Sequence, residues 1–289
     1  MEALIFQKGW NYSQDGPGNR LLYHFQGCNL KCPWCSNPEG ISGRGTLLVD
    51  KKHLLPSVCP KNAIKNNGLA RKVCVHCTEK TCLHSNRNLG IKLSSRSYPI
   101  QDLVAEVTAA KPLFHSGGGV TLTGGEPTLQ FECVRQLLTE LKNKDINTAI
   151  ETNGTHPSLK ELFPLLDTLI IDCKHCDDTI HKNVLGLSNS IILSNITRAA
   201  SEHPRVWLRI PLIPDFNSSP EDMEKIVAFV TALKQENLCV ELLPYHEYGK
   251  VKWEQCGMAY VERTGGLDSG IRDLFEEKLK QKGVRTIRT

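Results

Sequence analysis

From residue 99 onward, short apolar runs and longer amphipathic stretches follow one another in regular succession. The stretches 120–123, 147–152, 168–172, 205–212 and 240–243 have strand length and are bounded by glycine, proline or polar residues. Between them, 99–110 has helical spacing, with Pro99 suited to the first turn and Leu103, Val104 and Val107 on one face. Further helices are expected over 129–141, just before Thr168, over 219–234 behind the cap Ser219-Pro220-Glu221-Asp222, and over 271–282. The run Leu21-Leu22-Tyr23-His24-Phe25 adds an earlier strand. Six strands alternating with helices imply parallel strands joined by crossovers, in an open doubly wound sheet or a partial barrel. In either arrangement ligands collect at the C-terminal ends of the strands.

Two segments interrupt this rhythm. Residues 13–20 place glycine and proline in a loop bracketed by Asp15 and Arg20. Residues 47–94 have little long-range periodicity but carry Cys59-Pro60, Cys74-Val75-His76-Cys77 and Cys82. They are expected to form a small inserted domain tied together by metal, set into a larger domain made of 1–46 and 95–289.

Composition narrows the function classes. The 289 residues carry a net charge of +4, with basic residues scattered, which gives no support to nucleic-acid or membrane-surface binding. No run of about 18 apolar residues suggests a membrane span. The first residues lack the basic and apolar regions of a signal peptide, so a cytoplasmic protein is expected. Seven of the twelve cysteines fall between Cys28 and Cys82, and clustered cysteines in a reducing compartment point to metal ligation. Cys133, Cys173, Cys176, Cys239 and Cys256 read as ordinary buried thiols, because the Cys173/Cys176 spacing has no second pair.

The sharpest signal is Cys28-Asn29-Leu30-Lys31-Cys32-Pro33-Trp34-Cys35. Three thiolates this close can hold three corners of a cubane iron–sulfur cluster and leave one iron open. A zinc knot or free core thiols are the competing readings. The other strand ends are polar as well: Gly124-Gly125-Glu126-Pro127, Glu151-Thr152-Asn153-Gly154, Asp172-Cys173-Lys174-His175, Arg209 and Pro244-Tyr245-His246.

The cysteine loop, with Trp34 before its last cysteine, resembles the signature of the radical S-adenosylmethionine enzymes. Gly124-Gly125-Glu126-Pro127 resembles that family's motif for the methionine amino group. Asp15-Gly16-Pro17-Gly18, Gly27-Cys28-Asn29-Leu30, Ser36-Asn37-Pro38-Glu39, Asp172-x-Lys174-His175 and Leu242-Leu243-Pro244-Tyr245-His246 resemble the glycyl-radical-enzyme activating enzymes, pyruvate formate-lyase activating enzyme among them. The likeness runs from Asp15 to Trp253 in the expected order.

This resemblance implies an α/β partial (β/α)6 barrel of the radical SAM type with a ferredoxin-like insert. It implies an anaerobic oxidoreductase that cleaves S-adenosylmethionine at a 4Fe-4S cluster and takes hydrogen from a glycine Cα of a partner glycyl radical enzyme. Cys28, Cys32 and Cys35 would ligate the cluster, and Trp34 would pack near the adenine. Gly124, Gly125 and Glu126 would contact the methionine part, while Asp172, Lys174, Arg209 and His246 would bind the cofactor or shape its pocket. Glu151 and Thr152 would serve the cofactor or a monovalent cation, and Asp15 and Asn37 would face the glycine loop. Reduced flavodoxin or ferredoxin would supply the electron.

Many members of this family carry a ferredoxin-like insert with eight cysteines for two clusters, whereas this chain has only Cys59, Cys74, Cys77 and Cys82 there. Those four correspond to the complete ligand set of one four-iron cluster. The wide Cys77–Cys82 gap, with His76 and His84 nearby, leaves structural zinc open. The competing functions are a radical SAM enzyme acting on a small molecule and a non-catalytic iron–sulfur electron carrier.

Overall fold

The structure is a computed structural model that describes residues 1–65, 68–85, 89–234, 236–263 and 269–289. Its centre is a nine-stranded sheet. In chain order the strands are β1 (Glu2–Tyr12), β2 (Asn19–Phe25), β3 (Arg96–Pro99), β4 (Gly119–Gly124), β5 (Thr148–Thr152), β6 (Thr168–Asp172), β7 (Val206–Leu212), β8 (Leu238–Pro244) and β9 (Thr286–Ile287). They lie in the order β9-β8-β7-β6-β5-β4-β2-β1-β3. The seven from β2 and β4 to β9 pair in parallel, and β1 and β3 form an antiparallel edge. The sheet does not close, so the barrel is partial.

The six expected strands are β2, β4, β5, β6, β7 and β8. The helices between them are α1 (Ile100–Ala110), α2 (Phe131–Lys142), α3 (Asp178–Leu185), α4 (Ser190–Glu202) and α5 (Pro220–Thr231), followed by α6 (Lys250–Cys256) and α7 (Ser269–Gln281). Ser219 caps α5 as expected, its side chain accepting from the Asp222 amide. One expectation fails: the helix before Thr168 is a 3-10 run, Leu159–Leu165. Pro164 inside it removes the donor an α-helix would need. The elements β1, β3, β9, α3, α4 and α6 had no clear signal. The long strand β1 carries Gln7 and Lys8 in its middle, and α3 and α4 crowd into one β6–β7 connection.

Side chains alternate across a strand, and here the alternation separates two chemistries. Leu21, Tyr23, Phe25, Val120, Leu122, Ile150, Leu169, Ile171, Leu208, Ile210, Val240 and Leu242 all join the main hydrophobic core. Burying each such side chain contributes about 1.5–3 kcal/mol. The intervening positions include Thr121, Thr123, Glu151, Asp172, Arg209 and Glu241, which turn to the opposite face. Asp172 pairs in register with Arg209, and Arg209 with Glu241, so one row of charged groups crosses the sheet.

All nine strands of this sheet lie outside residues 47–94. Within that segment, Leu47–Val49 pairs with Ile91–Leu93 and Ile64–Lys65 with Gly68–Leu69. A separate small core of Val49, Leu54, Ile64 and Ile91 holds them, with Cys59 and Cys82 packed against it.

Candidate active site

A cavity of about 370 Å³ opens at the C-terminal ends of the parallel strands. That is enough for a ligand of nucleoside size. The cysteine loop after β2 forms one wall. Leu30 and Trp34 anchor this loop in an apolar cluster with Leu185, Ile213 and Phe216, while Cys28 and Cys32 pack beside them. Backbone bonds fix its ends: the Cys28 amide donates to Ile41 O at 3.0 Å and the Lys31 amide to Leu185 O at 3.1 Å. The Asn37 amide donates to Cys35 Sγ at 3.4 Å. All three cysteines line the cavity.

The thiols are not stable anions in this setting by themselves. Burial pushes Cys28 and Cys35 up to about 12 and raises Cys32, and the nearby Lys174 only partly offsets it. Lys174 Nζ in turn donates to Asp172 Oδ2 at 2.7 Å. Burial opposes its charge, but Asp172 and the neighbouring thiols hold its pKa above the usual lysine value. Three half-buried sulfur donors around a roomy cavity fit a multi-iron centre, whose positive charge would hold them as thiolates.

The glycine turn after β4 is docked directly on the cysteine loop. Gly125 N–H donates to Phe25 O at 2.9 Å and Glu126 N–H to Gly27 O at 2.7 Å. Gly124 has φ +122, and a Cβ on Gly125 would lie 2.2 Å from Gly27 O. Gly125→Ala must therefore separate turn and loop. We expect it to cost about 1–3 kcal/mol and to lower the melting temperature by roughly 3–8 °C. A change under about 1 °C in a thermal melt would show that the turn has room to spare.

Arg209 is the hub of the polar face. Its Nη1 reaches Glu151 Oε1 at 2.6 Å and Asp15 Oδ1 at 3.3 Å, and its Nε reaches Glu241 Oε2 at 2.8 Å. Its Nη2 donates to Gln14 O. Burial opposes the guanidinium charge, but the three carboxylates outweigh it and raise the pKa. Glu151 also accepts from Thr123 Oγ1 at 2.7 Å. Burial disfavours its charge, yet Arg209 and that hydrogen bond keep its carboxyl below the usual range. Asp15 is pushed up to about 6, first by burial and then by Glu151, against the pull of Arg209.

The structure brings nearly all the residues expected at this site to one cavity. Asp15, Trp34, Asn37, Gly124, Gly125, Glu151, Thr152, Asp172, Lys174 and His246 line it together with the three cysteines. Glu126 and Arg209 are not among its lining residues. The Glu126 carboxylate is fully buried and already engaged, accepting from Thr152 Oγ1 at 2.7 Å, the Asn153 amide at 2.6 Å and the Thr128 amide at 3.0 Å. It braces the glycine turn through these bonds rather than lining the cavity. Arg209 shapes the pocket through Asp15 and Glu151 and does not enter it. His246 is exposed at the rim and stacks on Tyr248 with ring centres 4.2 Å apart.

Sequence reasoning assigned no role to His24, Thr123, Asn153 and Tyr245, which also line the cavity. Each stands in or beside a run already singled out at a strand end, so adjacency was the available signal. Asn153 Nδ2 lies 4.0 Å from Cys28 Sγ and donates to Asn29 Oδ1 at 2.9 Å.

The insert has its own cavity, lined by Cys59, Cys74, Cys77 and Cys82. Cys59, Cys77 and Cys82 all lie within electrostatic reach of Cys74, and Ala63 N–H donates to Cys59 Sγ at 3.3 Å. His76 and His84 are not among the lining residues. Among the described residues, no three or more His, Cys, Asp or Glu side chains converge as ligands of a single metal ion.

Comparison with known proteins gives a consistent picture. The family model described as "Radical SAM superfamily" matches residues 22–230. The 4-hydroxyphenylacetate decarboxylase activating enzyme of Clostridioides difficile is 32% identical over 298 aligned residues, covering 95% of this chain and 93% of that protein. The choline trimethylamine-lyase activating enzyme of Oleidesulfovibrio alaskensis is 33% identical over 299, covering 97% and 96%. A radical SAM methyltransferase from Sphaerobacter thermophilus has a TM-score of 0.57 at 15% identity, covering 96% of this chain and 67% of that one, a likeness of fold alone.

Proposed function

The chain belongs to the radical SAM superfamily and, within it, to the glycyl-radical-enzyme activating enzymes, and from that membership we propose the roles of its residues. The carrying observation is a single cavity that joins three cysteines, the Gly124-Gly125 turn and the Asp172–Lys174 pair. When bound, the 4Fe-4S cluster and S-adenosylmethionine supply a deoxyadenosyl radical that removes a hydrogen atom from a glycine Cα of the partner enzyme.

Cys28, Cys32 and Cys35 hold the cluster. Gly124 and Gly125 present backbone groups to the amino-acid end of S-adenosylmethionine, and Lys174 supplies positive charge beside it, oriented by Asp172. Trp34, at 4.7 Å from Phe216, forms an apolar wall for the adenine and keeps water away from the reacting atoms. Glu151 and Thr152 offer oxygen ligands for a monovalent cation, because the carboxylates around Arg209 outnumber its single charge. Asp15 and Asn37 face the incoming glycine loop, and His246 guards the rim.

The division into 1–46 with 95–289 and the insert 47–94 is part of the same proposal, as is a second four-iron cluster on Cys59, Cys74, Cys77 and Cys82. Thiols standing around a space, with both nearby histidines outside its lining, favour a cluster over zinc. The protein is taken to work in an anaerobic cytoplasm, with flavodoxin or ferredoxin as electron donor and without nucleic acid or membrane. Among the described residues no helix is long and apolar enough to cross a membrane.

Anaerobic reconstitution tests the assignment of the insert. About eight irons with matching sulfide are expected, whereas about four irons plus bound zinc would remove the second cluster. Mixing the reduced protein with S-adenosylmethionine should yield deoxyadenosine, and adding the cognate partner should yield a glycyl radical by electron spin resonance. A protein that carries its full iron and still forms no deoxyadenosine would be an electron carrier.

A further inference from the structure

Helix α6 touches both metal-binding regions, and its geometry is unusual enough to carry a role. It has seven residues and no side-chain cap at its N-terminus. A helix this short is marginal without outside support. That support comes from the insert at its C-terminal end. Arg71 Nη2 donates to Gln255 O at 2.8 Å while its Nη1 donates to Leu47 O at 2.8 Å. The guanidinium thereby satisfies an end-of-helix carbonyl with a favourable charge. Gly257, at φ +66, makes room for it, since a Cβ there would lie 2.1 Å from Arg71 Nε. The exposed Lys51–Glu254 pair at 2.8 Å contributes little beside this.

The same helix holds the cysteine loop. Trp253 Nε1 donates to Cys35 O at 2.8 Å. Lys252 Nζ donates to Asn37 Oδ1 at 2.7 Å and pairs with Glu39 Oε1 at 2.9 Å. Gly249 brings the first turn so close that a Cβ would meet Cys35 O at 2.6 Å and Ser36 Cα at 2.9 Å. Arg71 and Cys74 lie on one short insert helix, Arg71–Val75. A continuous set of contacts thus runs from an insert cysteine through Arg71, α6 and Trp253 to Cys35.

We propose that α6 couples the two regions, with Arg71 and Trp253 as positioning residues that let the folded insert set the Cys35–Asn37 segment. This rests on the reading of Cys35 as a cluster ligand and Asn37 as part of the glycine-loop face. Its consequence is that a loaded insert prepares the catalytic loop, so the state of one site is felt at the other.

Trp253→Phe keeps an aromatic ring and removes the donor, and Arg71→Gln removes the insert's guanidinium bond to Gln255 O while leaving the Trp253–Cys35 bond in place. The test measures hydrogen exchange of residues 34–41 in the reconstituted full chain, with residues 168–172 as the folding control, and the electron spin resonance signal of the reduced Cys28/Cys32/Cys35 cluster. Both variants should speed exchange of 34–41 about fivefold with the control unchanged, as loss of one hydrogen bond implies. Arg71→Gln should also shift the cluster signal. Wild-type exchange or a wild-type signal in Arg71→Gln overturns the coupling. Failure of the functional reading looks different: the wild-type chain itself would take up no iron at Cys28, Cys32 and Cys35.

Discussion

Replacing Cys32 with alanine should abolish cleavage of S-adenosylmethionine, with deoxyadenosine formation falling at least about 10³-fold to background. Cys32 stands half-buried at the cavity wall, which Cys28 and Cys35 also line. Two thiolates do not hold a cubane. On the proposal that the insert carries a second cluster, iron content should drop by about four of eight per chain. Cys77→Ala is the complementary experiment: it should remove the insert's iron and leave the signal of the catalytic cluster recognisable. Full deoxyadenosine formation by Cys32→Ala would refute the assignment of the site.

The second large effect concerns Arg209. Arg209→Leu removes one buried cation and leaves Asp15, Glu151 and Glu241 facing one another. Uncompensated buried charge of this kind costs about 3–5 kcal/mol, enough to lower the melting temperature by roughly 10 °C. The loss should depend on pH. In the wild-type protein Asp15 is already raised to about 6 from 3.8, chiefly by burial. A carboxyl with a raised folded pKa contributes stability at acid pH, and that contribution is lost as pH rises through the folded value. Without Arg209 the upward shift grows and extends to Glu151, so protonation relieves the variant more than the wild type. Thermal melts at pH 8 and pH 6 should therefore show the deficit shrinking at the lower pH. Equal deficits at both would mean that the arginine acts through packing alone.

The site was legible in the sequence to the extent that its chemistry is local. The cysteine spacing, the Gly124-Gly125 turn and the strand-end Asp172 and Lys174 are short-range patterns, and parallel strands bring their C-terminal ends to one side. How Glu126 is engaged was not legible, because motif position does not reveal which way a buried carboxylate points. Its partners Thr152 and Asn153 come from the next strand, 26 and 27 residues away. Arg71 and Trp253 carried no motif that linked them, although 184 residues separate Arg71 from the carbonyl it caps.

The sequence by itself determined the six parallel strands, the polar residues at their C-terminal ends, and the two groups of cysteines. Side-chain period and ligand spacing are properties of a few consecutive residues, so they survive in a string of letters. Only the tertiary structure decided that Arg209 stands behind the pocket, that Glu126 braces the turn, and that a seven-residue helix joins the insert to the cysteine loop. Those are contacts between distant segments, fixed by sheet register and by how closely backbones approach.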